Sequence, residues 1–341
     1  MEVRMYTTYS DISPRTNALA VAKLLDAGQY VMVLERFGQI DRQPKNKTKV
    51  RKYRRYEPFA RAVAPLAEGV VPAGQMISFT DVTMTLEEYG DYVQITDVIQ
   101  DTHEDAILDW ASKECGRQAA ETIELIRFAS LKGGTNVVYP GTATTRASVN
   151  GPLTRKEIRL VERAFWRNKA KFISTIVSAT AKIATEPVAP AFFALCHSDL
   201  KDDIRSITGF LPVEKYANNE ASLPNELGKV ESTRFIMSSL FEPWLAVGTP
   251  GTSFLSNGGS SAGGAVACDV YPVIVVAQDA YAIVPLQGFD SVQLYVVNPK
   301  ATTDQPLAQK GSVGWKTYQT AGILNQNWLT RIEVACSNTV A

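Results

Sequence analysis

The sequence predicts an α+β protein, and three patterns carry that prediction. A β-type alternation runs through residues 70–99, an unusually long helical stripe covers about 102–132, and apolar runs dominate the C-terminal third. These parts follow one another without the regular strand-helix-strand rhythm that a doubly wound parallel sheet would need.

Taken in order, residues 1–44 show little periodicity beyond an amphipathic stretch at 18–25, and they end in polar sequence around Gln43 and Pro44, which reads as an arm. Between Lys45 and Arg55 lie seven basic side chains and no acidic one: Lys45, Lys47, Lys49, Arg51, Lys52, Arg54 and Arg55. The first four are spaced two apart, so an extended segment would set them along one edge as a positive rail, with Asn46, Thr48 and Val50 opposite. Like charges in a row repel, and such a strand belongs against anions or against the acidic surface of another subunit.

In the next stretch Ile77 and Phe79 alternate with Ser78 and Thr80, and Val82, Met84 and Leu86 alternate with Thr83 and Thr85. Gly90 and Asp91 are expected to turn the chain before Val93 and Ile95 resume the pattern. A helix then starts at Asp101 or Thr102, with Glu104 and Asp105 in its first turn, and stops at Gly133 and Gly134. Its apolar stripe is Leu108, Ala111, Cys115, Ala119, Ile123, Ile126 and Ala129, with Trp110 and Phe128 off it. At roughly 1.5 Å per residue it is a beam of about 40 Å.

A second lobe is expected from about residue 150. Pro152 and the capping box from Thr154 to Glu157 open a helix that runs to Arg167. A buried strand at 172–177, a short acidic-first helix at 198–207 closed by Gly209, and β-rich runs across 273–284, 292–297 and 328–334 follow.

Composition limits the chemistry. The chain has 341 residues, 45% of them hydrophobic, with 35 basic side chains against 35 acidic ones. That neutrality is uneven, because residues 1–62 carry 13 Lys or Arg against 6 Asp or Glu and the remainder balances them. The apolar runs are far shorter than the roughly 20 residues of a membrane span, and the N-terminus lacks the apolar segment of a signal peptide, so a soluble protein inside a cell is expected, with no membrane partner.

Cys115, Cys196, Cys268 and Cys336 are scattered and the only histidines are His103 and His197. Neither a metal site nor a disulfide framework is suggested, and the thiols are expected as small packed groups. Gly259-Ser260-Ser261-Ala262-Gly263 matches the nucleophile elbow of a serine hydrolase, but it lies in a Gly- and Ser-rich stretch with no histidine after it. No glycine pattern for phosphate binding lies at a strand-to-helix junction, so no cofactor is expected. Glu87, Glu88, Asp202 and Asp203 read as solvated acids, and the two histidines as capping or surface residues. No catalytic residue is assigned.

Several collinear stretches resemble the major capsid proteins of tailed bacteriophages, which have the Hong Kong 97 capsid fold. They are Ile12-Ser13-Pro14-Arg15-Thr16, Leu34-Glu35-Arg36-Phe37-Gly38, Pro44-Lys45-Asn46-Lys47, Arg54-Arg55-Tyr56, Tyr89-Gly90-Asp91-Tyr92 and Asp101-Thr102-His103-Glu104-Asp105. Gln118-Ala119-Ala120-Glu121-Thr122, Gly209-Phe210, Pro212-Val213-Glu214-Lys215-Tyr216 and Phe241-Glu242-Pro243-Trp244 continue them. Past Trp244 the likeness loosens, and residues 248–264 resemble an insertion.

The resemblance implies an N-terminal arm at 1–44 and an extended loop at 45–81 lying over a neighbouring subunit. It also implies a peripheral domain at 82–150 and 305–341 with a spine helix at about 102–132, and an axial domain at 151–304. The function so implied is a non-enzymatic shell protein that self-assembles through hexamers and pentamers into an icosahedral capsid around packaged double-stranded DNA. Scaffolding, portal and decoration proteins are the implied partners, with assembly in the host cytoplasm and residence in the virion. The sequence shows no long, charged helical N-terminal extension of the kind that serves some relatives as a built-in scaffold, so scaffolding is expected from a separate protein. Lys45, Lys47, Lys49, Arg51, Lys52, Arg54 and Arg55 are the candidate subunit-facing or polyanion-facing residues. The alternative is a nucleic-acid-binding protein using residues 45–56, with Tyr53 and Tyr56 stacking on bases.

Overall fold

The structure, a computed structural model, describes residues 32–338 apart from 64, 66–68, 70, 72–73, 97–106, 179–183, 217–222, 252, 257–265, 289–291, 298–306 and 308. Its strands are β1 (Gln39–Ile40), β2 (Val50–Tyr56), β3 (Phe79–Thr85), β4 (Glu87–Thr96), β5 (Val137–Val138), β6 (Ile173–Ser178), β7 (Ala184–His197) and β8 (Leu211–Pro212). They continue as β9 (Glu226–Val230), β10 (Thr233–Ser238), β11 (Val270–Val276), β12 (Tyr281–Pro285), β13 (Gln293–Val297), β14 (Lys310–Ile323) and β15 (Leu329–Ala335). Helix α1 (Ile107–Lys132) follows β4, α2 (Arg155–Arg167) follows β5, and α3 (Lys201–Arg205) follows β7.

The chain is α+β, with its helices set among mainly antiparallel strands. One sheet has the order β5-β15-β11-β7-β10-β9-β8, with β6 beside β7. In it the side chains of β7 and β11 alternate between two cores. Phe192, Ala194, Cys196, Val273 and Val275 face α2, whose Ile158, Val161 and Phe165 complete that core. Phe193, Leu195, Ile274 and Val276 face the other way, onto Phe128 and Leu131 of α1 and onto Val33, Leu34 and Phe37. Covered on both sides, β11 is buried along its whole length.

The second sheet has the order β1-β12-β14-β13, with β4 paired along β14. Helix α1 lies on it through Ala111, Cys115 and Ala119, which meet Val313 and Trp315. Strands β12 and β13 hydrogen bond to β14 in the α1 sheet, whereas β15 pairs with β11 and β5 in the other.

Helix α2 begins as its capping box requires, with the Glu157 carboxylate accepting from the Thr154 N–H at 3.1 Å. Helix α1 stops at Gly133, while its expected caps at Asp101 and Thr102 lie outside the described residues. Phe128 is not off the stripe: it stacks on Phe241 at 4.7 Å in the core, while Ala129 is exposed. A straight α-helix gains roughly 20° per heptad on a fixed stripe, so over so long a helix the buried face drifts. In strand β6 Ile173 and Ile176 are buried in the core while Ser174 and Thr175 are exposed, and the register shifts between Ile173 and Thr175. The region expected as a helix at 198–207 is a 3-10 turn, Ser198–Leu200, continued by α3.

Gly90 and Asp91 do not turn the chain. They lie inside β4, paired with Lys316 and Trp315. A Cβ at Gly90 would stand 2.6 Å from the Trp315 carbonyl oxygen, so the glycine marks a close strand approach. At the end of the expected arm, Val33 and Leu34 are fully buried.

Candidate subunit interface

The basic run forms a two-stranded hairpin of its own, β2 against β3, in the register Val50↔Thr85 to Tyr56↔Phe79. It does not form the continuous rail that the spacing suggests. Lys45 and Lys47 sit in a turn around Asn46, whose φ of 59° is left-handed, and the strand starts only at Val50. Asparagine tolerates that conformation better than most residues.

The pleat then separates the remaining cations. Arg51 and Arg55 are half-buried on one side, and Lys52 and Arg54 are exposed on the other. Arg51 pairs with Asp41, whose hydrogen bond holds the guanidinium pKa above its ordinary value. Arg55 reaches Glu57 at 2.9 Å and Asn325 at 2.9 Å. Across the strands, Lys52 and Arg54 share Asp81, each at 2.8 Å. Their hydrogen bonds, Arg54's the larger effect, keep the Asp81 carboxyl well below the usual range. Lys49 reaches Glu87 at 3.3 Å. Most of the charge that seemed to require a partner is thus matched within the chain, by acids that are dispersed in sequence.

The hairpin's root is also anchored in its own subunit. Met84 and Leu86 are buried with Ala282 and Val284, and Tyr53, Val82, Leu286 and Tyr318 pack around them. Burial pushes the Tyr53 hydroxyl up to about 12. Tyr53 is therefore turned inward and not presented to bases, while Tyr56 packs edge-on against Phe79 at 6.5 Å. Arg54 covers the other side of that group, 4.0 Å from the Phe79 ring centroid. Of the two tyrosines expected to stack on bases, only Tyr56 is exposed.

What the root lacks in exposed apolar surface, the far end has. Tyr56, Phe59, Val63, Val71, Met76, Ile77 and Phe79 are all exposed, with Val71 at 90% and Met76 at 92%. These exposed apolar side chains make the end of the hairpin a candidate contact surface. Sequence reasoning concentrated on charge and missed it, although Met76, Ile77 and Phe79 stand close together in the sequence.

The other candidates take structural places. His197 caps the turn after β7, its Nδ1 accepting from the Asp199 N–H at 3.1 Å. Asp203 accepts from the Ser337 N–H at 2.9 Å, and Glu87 and Glu88 pair with Lys49 and Lys316. All four cysteines are free and buried, and burial pushes the Cys336 thiol up to about 12. His103 and Ser261 lie outside the described residues. Among the described residues no acidic, histidine or cysteine cluster could hold a metal, and no helix is long and apolar enough to cross a membrane.

The fold is shared with solved capsids. The capsid of Ralstonia phage GP4 superposes with a TM-score of 0.64 at 10% identity, over 90% of this chain and 92% of that one. The capsid of cyanophage Pam1 gives 0.60 at 12% identity, covering 86% and 87%, and that of cyanophage P-SCSP1u gives 0.57 at 12%, covering 90% and 89%. No curated protein matches the sequence. The architecture is therefore the Hong Kong 97-like capsid fold. The family model for phage capsid proteins matches residues 80–332, well over half of the chain, which belongs to that family. It is a major capsid protein, a structural protein of the phage shell.

Proposed function

We propose that this chain assembles through hexameric and pentameric capsomers into the shell that encloses packaged double-stranded DNA, without catalysing a reaction. The observation that carries the reading is the hairpin, anchored at its root by Met84 and Leu86 and apolar and exposed at its end. A two-stranded ribbon is marginal alone, and burying Phe59, Met76, Ile77 and Phe79 against a neighbour supplies what it lacks.

In this reading residues 1–44 are the arm, rooted at Val33 and Leu34, and 45–81 the extended loop. The sheet bearing α1, including β12 and β13, is the peripheral unit, and the sheet bearing α2 is the axial one. Scaffolding, portal and decoration proteins join it during assembly in the host cytoplasm. Negative-stain microscopy of the purified chain, alone and with its scaffolding partner, tests this. Closed shells are expected, and monomers under every assembly condition would refute it.

A further inference from the structure

With the hairpin cations matched by Asp41, Asp81 and Glu57, an open positive surface remains elsewhere, on the solvent face of α2. Residues 155–171 contain seven Lys or Arg and two acids. Both acids are turned inward. Glu157 closes the capping box, and Glu162 accepts from the Ser232 N–H and the Thr233 hydroxyl, each at 2.9 Å.

Arg155, Arg159, Arg163 and Arg167 stand four apart and form a row along the helix, roughly 18 Å from end to end. Glu231 serves Arg155 and Arg159 together, at 2.5 and 2.7 Å, so one carboxylate is shared by two guanidiniums. Among the described residues Lys156, Arg163, Arg167, Lys169 and Lys171 make no salt bridge. The row borders a shallow depression of about 370 Å³ lined by Arg155, Lys156, Arg159 and Arg163. At its far end Arg167 and Lys169 meet Arg54 and Arg55 across a cleft of about 620 Å³, whose acids are Glu57, already paired with Arg55, and Asp279.

We propose that this face of α2, continued through the cleft, is the surface that contacts the phosphate backbone of packaged duplex DNA. The inference rests on the shell reading above. A duplex carries about one negative charge per 1.7 Å of axis, and neutralising it requires only regularly spaced cations. An acidic protein partner would also want an apolar centre, which this face does not offer. Leu160 is half-buried, and the exposed Trp166 is packed edge-on against Phe172 at 5.0 Å.

The test is the triple substitution Lys156→Gln, Arg163→Gln, Arg167→Gln in the full chain, three exposed side chains outside both cores. Duplex binding is measured against salt on capsomers, and DNA content on shells, with thermal unfolding as the folding control. Each lost phosphate contact removes about 0.9 from the slope of log K against log salt, so the slope should fall by roughly 2.7 and affinity at 0.1 M salt by up to about 500-fold. Shells should still form. Unchanged slope and affinity would overturn the proposal, as would a folded variant that no longer assembles, since the face would then be a subunit contact. Stronger competition by polyglutamate than by duplex would overturn it in favour of an acidic protein. Failure of the unsubstituted chain to form shells would instead remove the shell reading, and this proposal with it.

Discussion

Replacing Glu124 by Gln should raise stability at pH 8 and leave it nearly unchanged at pH 4.5. Glu124 is fully buried on α1, where its Oε1 accepts from the N–H groups of Val33 and Leu34 at 3.0 and 2.9 Å. Its Oε2 is buried without a hydrogen-bond partner among the described residues. Burial pushes this carboxyl up to about 7, against the opposing influence of Arg127 and the two amides. The folded state thus holds the proton more tightly than the unfolded chain does. The associated stability is present in full below the ordinary value of 4.5 and is lost as pH rises through about 7. At 1.36 kcal/mol per pH unit the loss amounts to about 3 kcal/mol. Glutamine keeps the acceptor for both amides and never ionises. Urea unfolding of the unassembled subunit, repeated from pH 4.5 to 8, should show the variant's advantage growing to about 3 kcal/mol. A difference independent of pH, or a variant less stable at pH 8, would refute the reasoning.

Other substitutions probe the core, the sheet and the interface. Glu333 is fully buried between Arg331 at 2.7 Å and Arg146 at 2.8 Å, so Glu333→Ala strands the buried Arg331 and should cost about 3–5 kcal/mol in denaturant unfolding. Gly90→Ala sets a methyl group against the Trp315 carbonyl and should lower stability by about 1–3 kcal/mol, read as a fall in melting temperature. Met76→Asp with Ile77→Asp alters side chains that are 92% and 69% exposed. Subunit stability should stay within about 0.5 kcal/mol while shells disappear from electron micrographs.

What could be read in the sequence was whatever depends on near neighbours. The capping box at Thr154 and Glu157, the stop at Gly133 and the strand alternation through Met84 are local, and each appears where its pattern places it. Readings that depended on distant pairing went astray. Gly90 looked like a turn because the sequence does not reveal that Trp315 approaches it. The basic run looked unsupported because its acids, Asp41, Asp81 and Glu87, are brought in by the hairpin fold and by β4. The apolar end of the hairpin was legible at Met76, Ile77 and Phe79, yet alternation alone reads such residues as core-facing.

The claim beneath the account is that the end of the β2–β3 ribbon is completed by another copy of the chain. Hydrogen exchange across residues 57–63 and 74–79, compared between free subunits and assembled shells, measures this directly. Fast exchange in the subunit and strong protection in the shell is the predicted result. Equal exchange in the two states would contradict it.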